Sequence, residues 1–284
     1  MTDERPNPPP ARGDAGIGGT FDLDVEREVP DAVPAATVIL VRDGDDGLET
    51  LMLRRNSKLA FAGGHWVFPG GRVDDDDLEP SADEALEGEV PDQDQRTLQA
   101  ARRAAVREAA EEADLLVEVD SLVPFAHWTP PPVAIKRFAT WFFLAPAPTG
   151  DVTVDMGEIH EHQWVRPADA LRKRDEGEIE LSPPTWCTLD RLAASATVAD
   201  AIAEATDAEV EHFETHIARA DEGGAVAMWH GDAGYESGDP DLPGPRHRLW
   251  MVPGPWRFER WGESPDTSAA NPDRSTPDHP TPED

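Results

Sequence analysis

Apolar positions along this chain fall into runs of different period, and each period predicts a different element. Ala35-Ala36-Thr37-Val38-Ile39-Leu40-Val41 is short, apolar and partly β-branched, the pattern of a buried strand. The turn-forming stretch Asp43-Gly44-Asp45-Asp46-Gly47 follows, and Leu48 to Leu53 reads as the strand returning, which makes a hairpin. His65 to Phe68 predicts a third short strand, stopped by Pro69-Gly70-Gly71. The period then changes. Asp92 with Gln95 three residues on predicts a capping box, and from there to about Ala113 the residues Leu98, Ala101, Ala105 and Ala109 recur at helical spacing. Further strands are expected at 115–119, 122–128, 138–144 and 162–165. Pro167-Ala168-Asp169 opens a short helix through Arg172. Pro183-Pro184 opens a longer helical zone, 184–220, with a break near Thr197. Two late strands, 225–230 and 248–252, and an aromatic closing segment at 256–261 complete the pattern. Strands alternating with helices argue for an α/β domain over residues 33–261.

Composition adds boundaries. Residues 1–32 and 262–284 are rich in Pro, Asp and Gly and lack periodicity, so they are expected to be disordered tails. The acidic, irregular stretch 72–92 is expected to be a surface insertion. The formal charge is -33, from 58 acidic against 25 basic residues. Such a chain repels nucleic-acid backbone and anionic membrane, so neither is expected as a partner. A phosphate-bearing substrate must then be held by a local positive site or by a metal. Cys187 is the only cysteine, which excludes an intrachain disulfide. The segment MTDERPNPPP lacks the basic and apolar regions of a signal peptide, and no apolar run approaches the roughly 20 residues of a membrane span. The expectation is a soluble, cytoplasmic protein. Leu192, Ala196, Ala199 and Ile202 offer an apolar face, either for packing on the sheet or for a homodimer.

Candidate chemistry concentrates at the end of the long helix, Arg107-Glu108-Ala109-Ala110-Glu111-Glu112. At about 100° per residue, Glu108, Glu111 and Glu112 fall within an arc of roughly 100°, along the edge of the alanine stripe. Three carboxylates crowded beside an apolar surface repel one another, and partial burial makes them take up protons. A hard divalent cation with oxygen ligands removes both problems. Arg107 lies one turn before Glu111 and can pair with it or orient a neighbour. The glycines at 70–71 let backbone approach a phosphate or metal closely.

These residues carry a resemblance. The sequence resembles the Nudix hydrolase family, whose signature is Gly, five residues, Glu, seven residues, then Arg-Glu-apolar-x-Glu-Glu-x-Gly-apolar. Gly71 opens it, and Arg107-Glu108-Ala109-Ala110-Glu111-Glu112-Ala113-Asp114-Leu115 closes it. Gly71 and Arg107 are 36 positions apart, 22 more than the 14 of the signature. Asp114 replaces the helix-ending glycine, a residue that tolerates the left-handed conformation better than most. Asp77 stands at the nominal position of the first Glu. A stretched box is similar to that of relatives of the peroxisomal coenzyme A diphosphatase, as are Lys136-Arg137-Phe138-Ala139-Thr140-Trp141 and Leu181-Ser182-Pro183-Pro184-Thr185-Trp186. The resemblance implies an α/β/α sandwich with a mixed sheet, an insertion inside the Nudix box and a C-terminal helical extension. It also implies Mg2+ or Mn2+ held by Glu108, Glu111, Glu112 and the Gly70 carbonyl. Glu108 would be a ligand or the base and Arg107 its orienting partner. Glu158 or Glu161, from the later loop, would complete the metal site or serve as base.

Coenzyme A pyrophosphatases carry a further pattern: Arg, Ser or Ala, three residues, Arg, three residues, Gly, three residues, Phe-Pro-Gly-Gly. Arg55, Gly64 and Phe68-Pro69-Gly70-Gly71 match it, Asn56 and Ala60 depart from it, and Lys58 is a candidate for the missing charge. Arg55, Lys58, Gly64, Gly71 and Arg137, or its neighbour Lys136, are the substrate-binding candidates. Trp128, Trp141 and Trp164 could stack on an adenine. The activity expected is metal-dependent hydrolysis of a small-molecule diphosphate, with CoA or acyl-CoA as substrate. ADP-ribose or NADH is the alternative substrate, and a non-catalytic nucleotide-sensing module the alternative class.

Overall fold

The computed structural model describes residues 29–56, 64–79, 92–134, 136–154 and 156–262. The expected tails lie outside the described residues except for 29–32 and Gly262. The first apolar run forms the middle of β1 (Val33–Gly44), which turns back at the positive-φ Gly47 into β2 (Gly47–Arg55). β3 (Trp66–Val67) pairs with β2. The chain does not stop at the glycines, as the sequence suggested, but re-enters the sheet there as β4 (Gly70–Arg72). β4 pairs with residues 35–37 of β1 while β2 pairs with residues 41–44, so the two share one edge of β1 in succession. The other edge of β1 runs parallel to β6 (Phe138–Pro146). β5 (Val123–Thr129), β7 (Ile159–Val165) and β8 (Glu211–Glu214) complete a mixed eight-stranded sheet in the order β3-β2-β1-β6-β5-β8, with β4 on β1 and β7 on β2.

Between β4 and the long helix lies one helical turn, α1 (Asp75–Leu78). The long helix is α2 (Gln93–Ala113), and its expected capping box is present: Gln95 N–H donates to Asp92 Oδ1 at 2.8 Å, and Asp92 N–H donates to Gln95 Oε1 at 3.0 Å. Alternate residues of β1 face opposite sides of the sheet. Ala36, Val38 and Leu40 pack with Ala101, Ala104, Ala105, Ala109 and Ala113 of α2. Methyl side chains let the helix axis sit close to the sheet, which carries the polar residues at the edge of the stripe toward β4. The helix ends at Asp114, whose backbone is left-handed (φ 56, ψ 36) and whose N–H reaches the carbonyls of Ala109 and Ala110. Aspartate therefore does the work expected of glycine at that turn.

Ile39 and Val41 face the other side, in one core with residues of α3 (Pro167–Asp175), α4 (Pro183–Leu192) and α5 (Val198–Asp207). Helices on both faces of a mixed sheet make the expected α/β/α sandwich. Thr197 caps α5, at the expected break. Leu192 is buried and Ile202 half-buried in that core, whereas Ala196 and Ala199 are exposed, so two of the four residues of the apolar face read from sequence pack there. No described helix is long and apolar enough to cross a membrane.

Three further expectations need correction. Residues 115–119 are not a strand. Leu115 and Val117 are buried and Leu116 and Glu118 exposed, but the segment ends in a 3-10 turn (Val119–Ser121) and is tied down by Arg102, whose Nη1 donates to the Leu122 carbonyl at 2.6 Å. The stretch 72–92 is not irregular at its start, where α1 follows β4 closely. The helical zone ends at Asp207, and 211–219 is extended: β8 joins the main sheet and β9 (His216–Arg219) begins a second one. β10 (Ala225–Met228), β11 (Arg246–Met251) and β12 (Arg257–Trp261) complete this antiparallel sheet in the order β12-β11-β10-β9. Its anchor is a fully buried ion pair, with Arg248 Nη2 2.6 Å from Asp232 Oδ1. The same aspartate accepts from the backbone of Gly234 and His247, so the buried charges are hydrogen-bonded as burial requires.

Candidate active site

Glu108, Glu111 and Glu112 lie on the last turns of α2, against the glycines of β4. Glu112 continues the alanine stripe and is only 6% exposed. It accepts a hydrogen bond from Gly70 N–H at 3.0 Å. Burial pushes its carboxyl up to about 8, the Gly70 hydrogen bond opposes this, and the nearby Glu108 adds to it. Glu108 is also raised, first by burial, with Arg107 acting in the opposite direction. Glu111 is exposed.

Arg107 gathers this group. Its Nη1 lies 2.9 Å from Glu108 Oε1 and 3.1 Å from Glu111 Oε2. Its Nη2 donates to the Arg72 carbonyl and to Asp77 Oδ2, both at 2.9 Å. Asp77 is buried and shares the Arg107 guanidinium with Glu108 and Glu111. Asp77 also accepts from Asp74 N–H at 2.9 Å, which caps α1 and holds the carboxylate in line with Arg107. Its hydrogen bond to Asp77 is the largest reason that the Arg107 proton affinity is raised. Among the described residues, no three carboxylates, imidazoles or thiols already converge on one metal-sized point.

Both glycines are needed for close approach. A Cβ on Gly70 would lie 2.5 Å from the Ala36 carbonyl oxygen and 2.5 Å from Thr37 Oγ1. A Cβ on Gly71 would lie 2.1 Å from Glu108 Oε1. The first collision is with backbone; the second is with the end of a flexible side chain. Gly71→Ala is therefore expected to fold with a Tm within about 5 °C of the parent, yet to lower kcat about a hundredfold by displacing Glu108. Circular dichroism melting and steady-state kinetics check the two halves, and unchanged kcat would remove Glu108 from the site.

These groups line one end of a cleft of about 640 Å³. Arg55, Arg72, Lys136 and Glu158 line it as well. Arg55 Nη2 lies 3.2 Å from Glu158 Oε2, and its positive charge lowers the Glu112 proton affinity somewhat. Gly64 has φ 85, and its N–H donates to the Arg55 carbonyl at 3.0 Å, so the two ends of the Arg55–Gly64 pattern meet. Lys58 lies outside the described residues. The remaining candidates divide. Glu161 pairs with Arg54 at 3.2 Å and does not line the cleft; Glu158 takes its place. Arg137 donates to the backbone carbonyls of Pro130 and Pro30 and is a structural brace; Lys136 lines the cleft instead. Of the three tryptophans, Trp128 lines the cleft; Trp141 packs beside His127, and Trp164 lies under Arg42. Arg72, missed because it opened the presumed insertion, and Trp256, which read as a closing aromatic, both face the cleft.

Residues 32–185 match the family described as NUDIX domain. Among solved structures, a NUDIX hydrolase from Alicyclobacillus acidocaldarius is 23% identical with a TM-score of 0.54, over 62% of this chain and 97% of that one. A C. elegans Ap4A hydrolase is 23% identical with a TM-score of 0.38, over 57% of this chain and 96% of that one. The NUDIX domain of Shewanella oneidensis NrtR, complexed with ADP ribose, is 17% identical with a TM-score of 0.39, over 57% of this chain and 86% of that one. No curated protein matches the chain.

Proposed function

Because the chain belongs to the NUDIX domain family, we propose that it is a divalent-metal-dependent pyrophosphohydrolase that cuts the diphosphate of coenzyme A or its thioesters. The observation that carries the chemistry is Glu112, buried, raised to about 8 and pinned to Gly70 beside two further carboxylates. A buried acid with two acidic neighbours is an all-oxygen donor set short of positive charge, which fits Mg2+ or Mn2+. Glu108, Glu111 and Glu112, with the Gly70 carbonyl, are the residues that would hold the ion. When bound, it neutralises phosphate charge and makes water more acidic.

The protein's own groups supply the rest. Arg55, Arg72 and Lys136 bring cations into the cleft of a chain of net charge -33, Arg55 paired with Glu158 and Arg72 near Asp74. They would hold the diphosphate that the rest of the surface repels. Where it is not itself a ligand of the ion, Glu108, raised by burial and fixed by Arg107, takes the proton as water attacks one phosphorus. The new P–O bond forms, the bridging P–O bond breaks, and two phosphate monoesters leave. The CoA assignment rests on the Arg55 and Gly64 placement, on the LSPPT segment of the cleft wall, and on the stretched Nudix box.

A mass-spectrometric product screen tests it, with CoA, acyl-CoA, ADP-ribose and NADH each offered with Mg2+ or Mn2+. The expected products from CoA are adenosine 3′,5′-bisphosphate and 4′-phosphopantetheine, formed only with metal and lost on adding EDTA. Cleavage of ADP-ribose with CoA left intact overturns the substrate. Binding of every nucleotide with none cleaved overturns the enzyme.

A further inference from the structure

The cleft is chemically two-sided. Away from the charged end its walls carry Leu181, Pro184, Ile217, Ala227, Met251 and Trp256, and none of these ionises. Four of the six come from the second sheet and the turn after β11, beyond residue 185, where the NUDIX match ends. Ile217 is the register partner of Ala227, and strand alternation puts Met251 on the same face. That face is continuous with the main core.

The wall is fixed rather than draped. Thr215 is the only residue between β8 of the first sheet and β9 of the second. Its N–H donates to the Thr129 carbonyl at 3.0 Å, and its hydroxyl accepts from Trp229 Nε1 at 3.0 Å. The second sheet is thus held against the end of β5, whose Trp128 and Thr129 line the same cleft. Ile217 and Pro184, both in the cleft lining, remain half-buried and so accessible to a ligand. Among the lining residues, the hydroxyls of Thr215 and Ser182 are already engaged, with Trp229 and Thr185, so a sugar or nicotinamide placed there would find few partners, whereas an alkyl chain needs none.

We propose that the second sheet is a specificity element, an apolar wall that takes the acyl chain of a CoA thioester while the diphosphate lies at the carboxylates. This rests on the CoA reading above and adds that the acyl group is recognised, and by which residues. The test is kcat/KM for CoA and for acetyl-, octanoyl- and dodecanoyl-CoA with saturating Mg2+. Buried methylenes gain roughly fourfold each at best. The protein is therefore expected to prefer octanoyl- to acetyl-CoA at least tenfold. Ile217→Trp, which fills the chamber, is expected to bring that ratio within about threefold of one, and Ile217→Val to keep it. Pro184→Trp, in α4 and outside the second sheet, should collapse the ratio independently of β9 folding. Equal kcat/KM along the series, with CoA itself cleaved, overturns the acyl wall and leaves the CoA reading standing. If ADP-ribose is cut and CoA and all its thioesters are not, the CoA reading fails and this inference falls with it.

Discussion

Glu112→Gln is expected to lower kcat by about three orders of magnitude and at the same time to raise the melting temperature of the metal-free protein. The loss of activity follows from removing one of three anionic oxygen donors at the diphosphate end of the cleft. The gain in stability follows from burial. The glutamine amide keeps the shape and an acceptor for Gly70 N–H, but it has no charge to desolvate. The folded protein holds the Glu112 proton up to about pH 8, whereas an exposed glutamate releases it near 4.5. Between those values the folded state binds more protons than the unfolded state, so the parent loses stability as pH rises. A full shift of that size is on the order of 5 kcal/mol. The Tm gap between Glu112→Gln and the parent, measured with EDTA present, should therefore open from pH 5 to pH 8 and then level off. Glu111→Gln gives the contrast. That side chain is exposed, so activity should collapse with the fold intact and no pH-dependent Tm gain. Retained turnover in either variant at saturating Mg2+ removes it from the chemistry. A gap for Glu112→Gln that does not change with pH means that its carboxylate is ionised in the fold.

How much of this could be read from sequence depended on whether a residue's role was set locally or by a distant strand. The capping box, the alanine stripe and the left-handed Asp114 are local features of one helix, and they were legible. The hairpin was legible for the same reason, whereas the return of Gly70 and Gly71 to the sheet as β4 was not. The choice between Glu158 and Glu161 was not. It turns on a register shift between Arg54 and Arg55, which leaves Glu161 opposite Arg54 and sets Glu158 ahead of the strand, beside Arg55. A slip of one residue moves a side chain to the other face, and no local pattern records it. Lys136 and Arg137 are adjacent, and only the carbonyls of Pro130 and Pro30 show which one is a brace. Residues 211–219 followed a helical zone and were read as its continuation. Their period of two, with Phe213 buried between exposed His212 and Glu214, is a strand signal in hindsight. The second sheet's role in the cleft had no signal at all, because its apolar face looks like any core strand until the other wall is in place.

Asp77 was the hardest to single out, one acid in a run of four, and it supports the other large prediction. Its side chain is 6% exposed and its partner Arg107 is 2.9 Å away. Arg107→Ala leaves that buried carboxylate without a cation, which should destabilise the protein by about 3–5 kcal/mol. Asp77→Ala removes the charge that needed a partner and leaves Arg107 with Glu108 and Glu111, so its cost should be smaller, about 1–3 kcal/mol. The double variant should then be little worse than Arg107→Ala alone, short of additive by at least about 1.5 kcal/mol in urea unfolding. Activity separates positioning from stability. Asp77 does not line the cleft, yet it holds the guanidinium that fixes Glu108 and Glu111. Asp77→Ala should lower kcat about tenfold to a hundredfold with KM little changed, and Asp77→Glu should recover part of it. Arg107→Lys should not recover the parent, since an ammonium lacks the planar fork that serves the Arg72 carbonyl, Asp77, Glu108 and Glu111 together. Additive stabilities, or full kcat in Asp77→Ala, would mean that the carboxylates are placed by the sheet alone. In that case the four-way grip of Arg107 is incidental to catalysis.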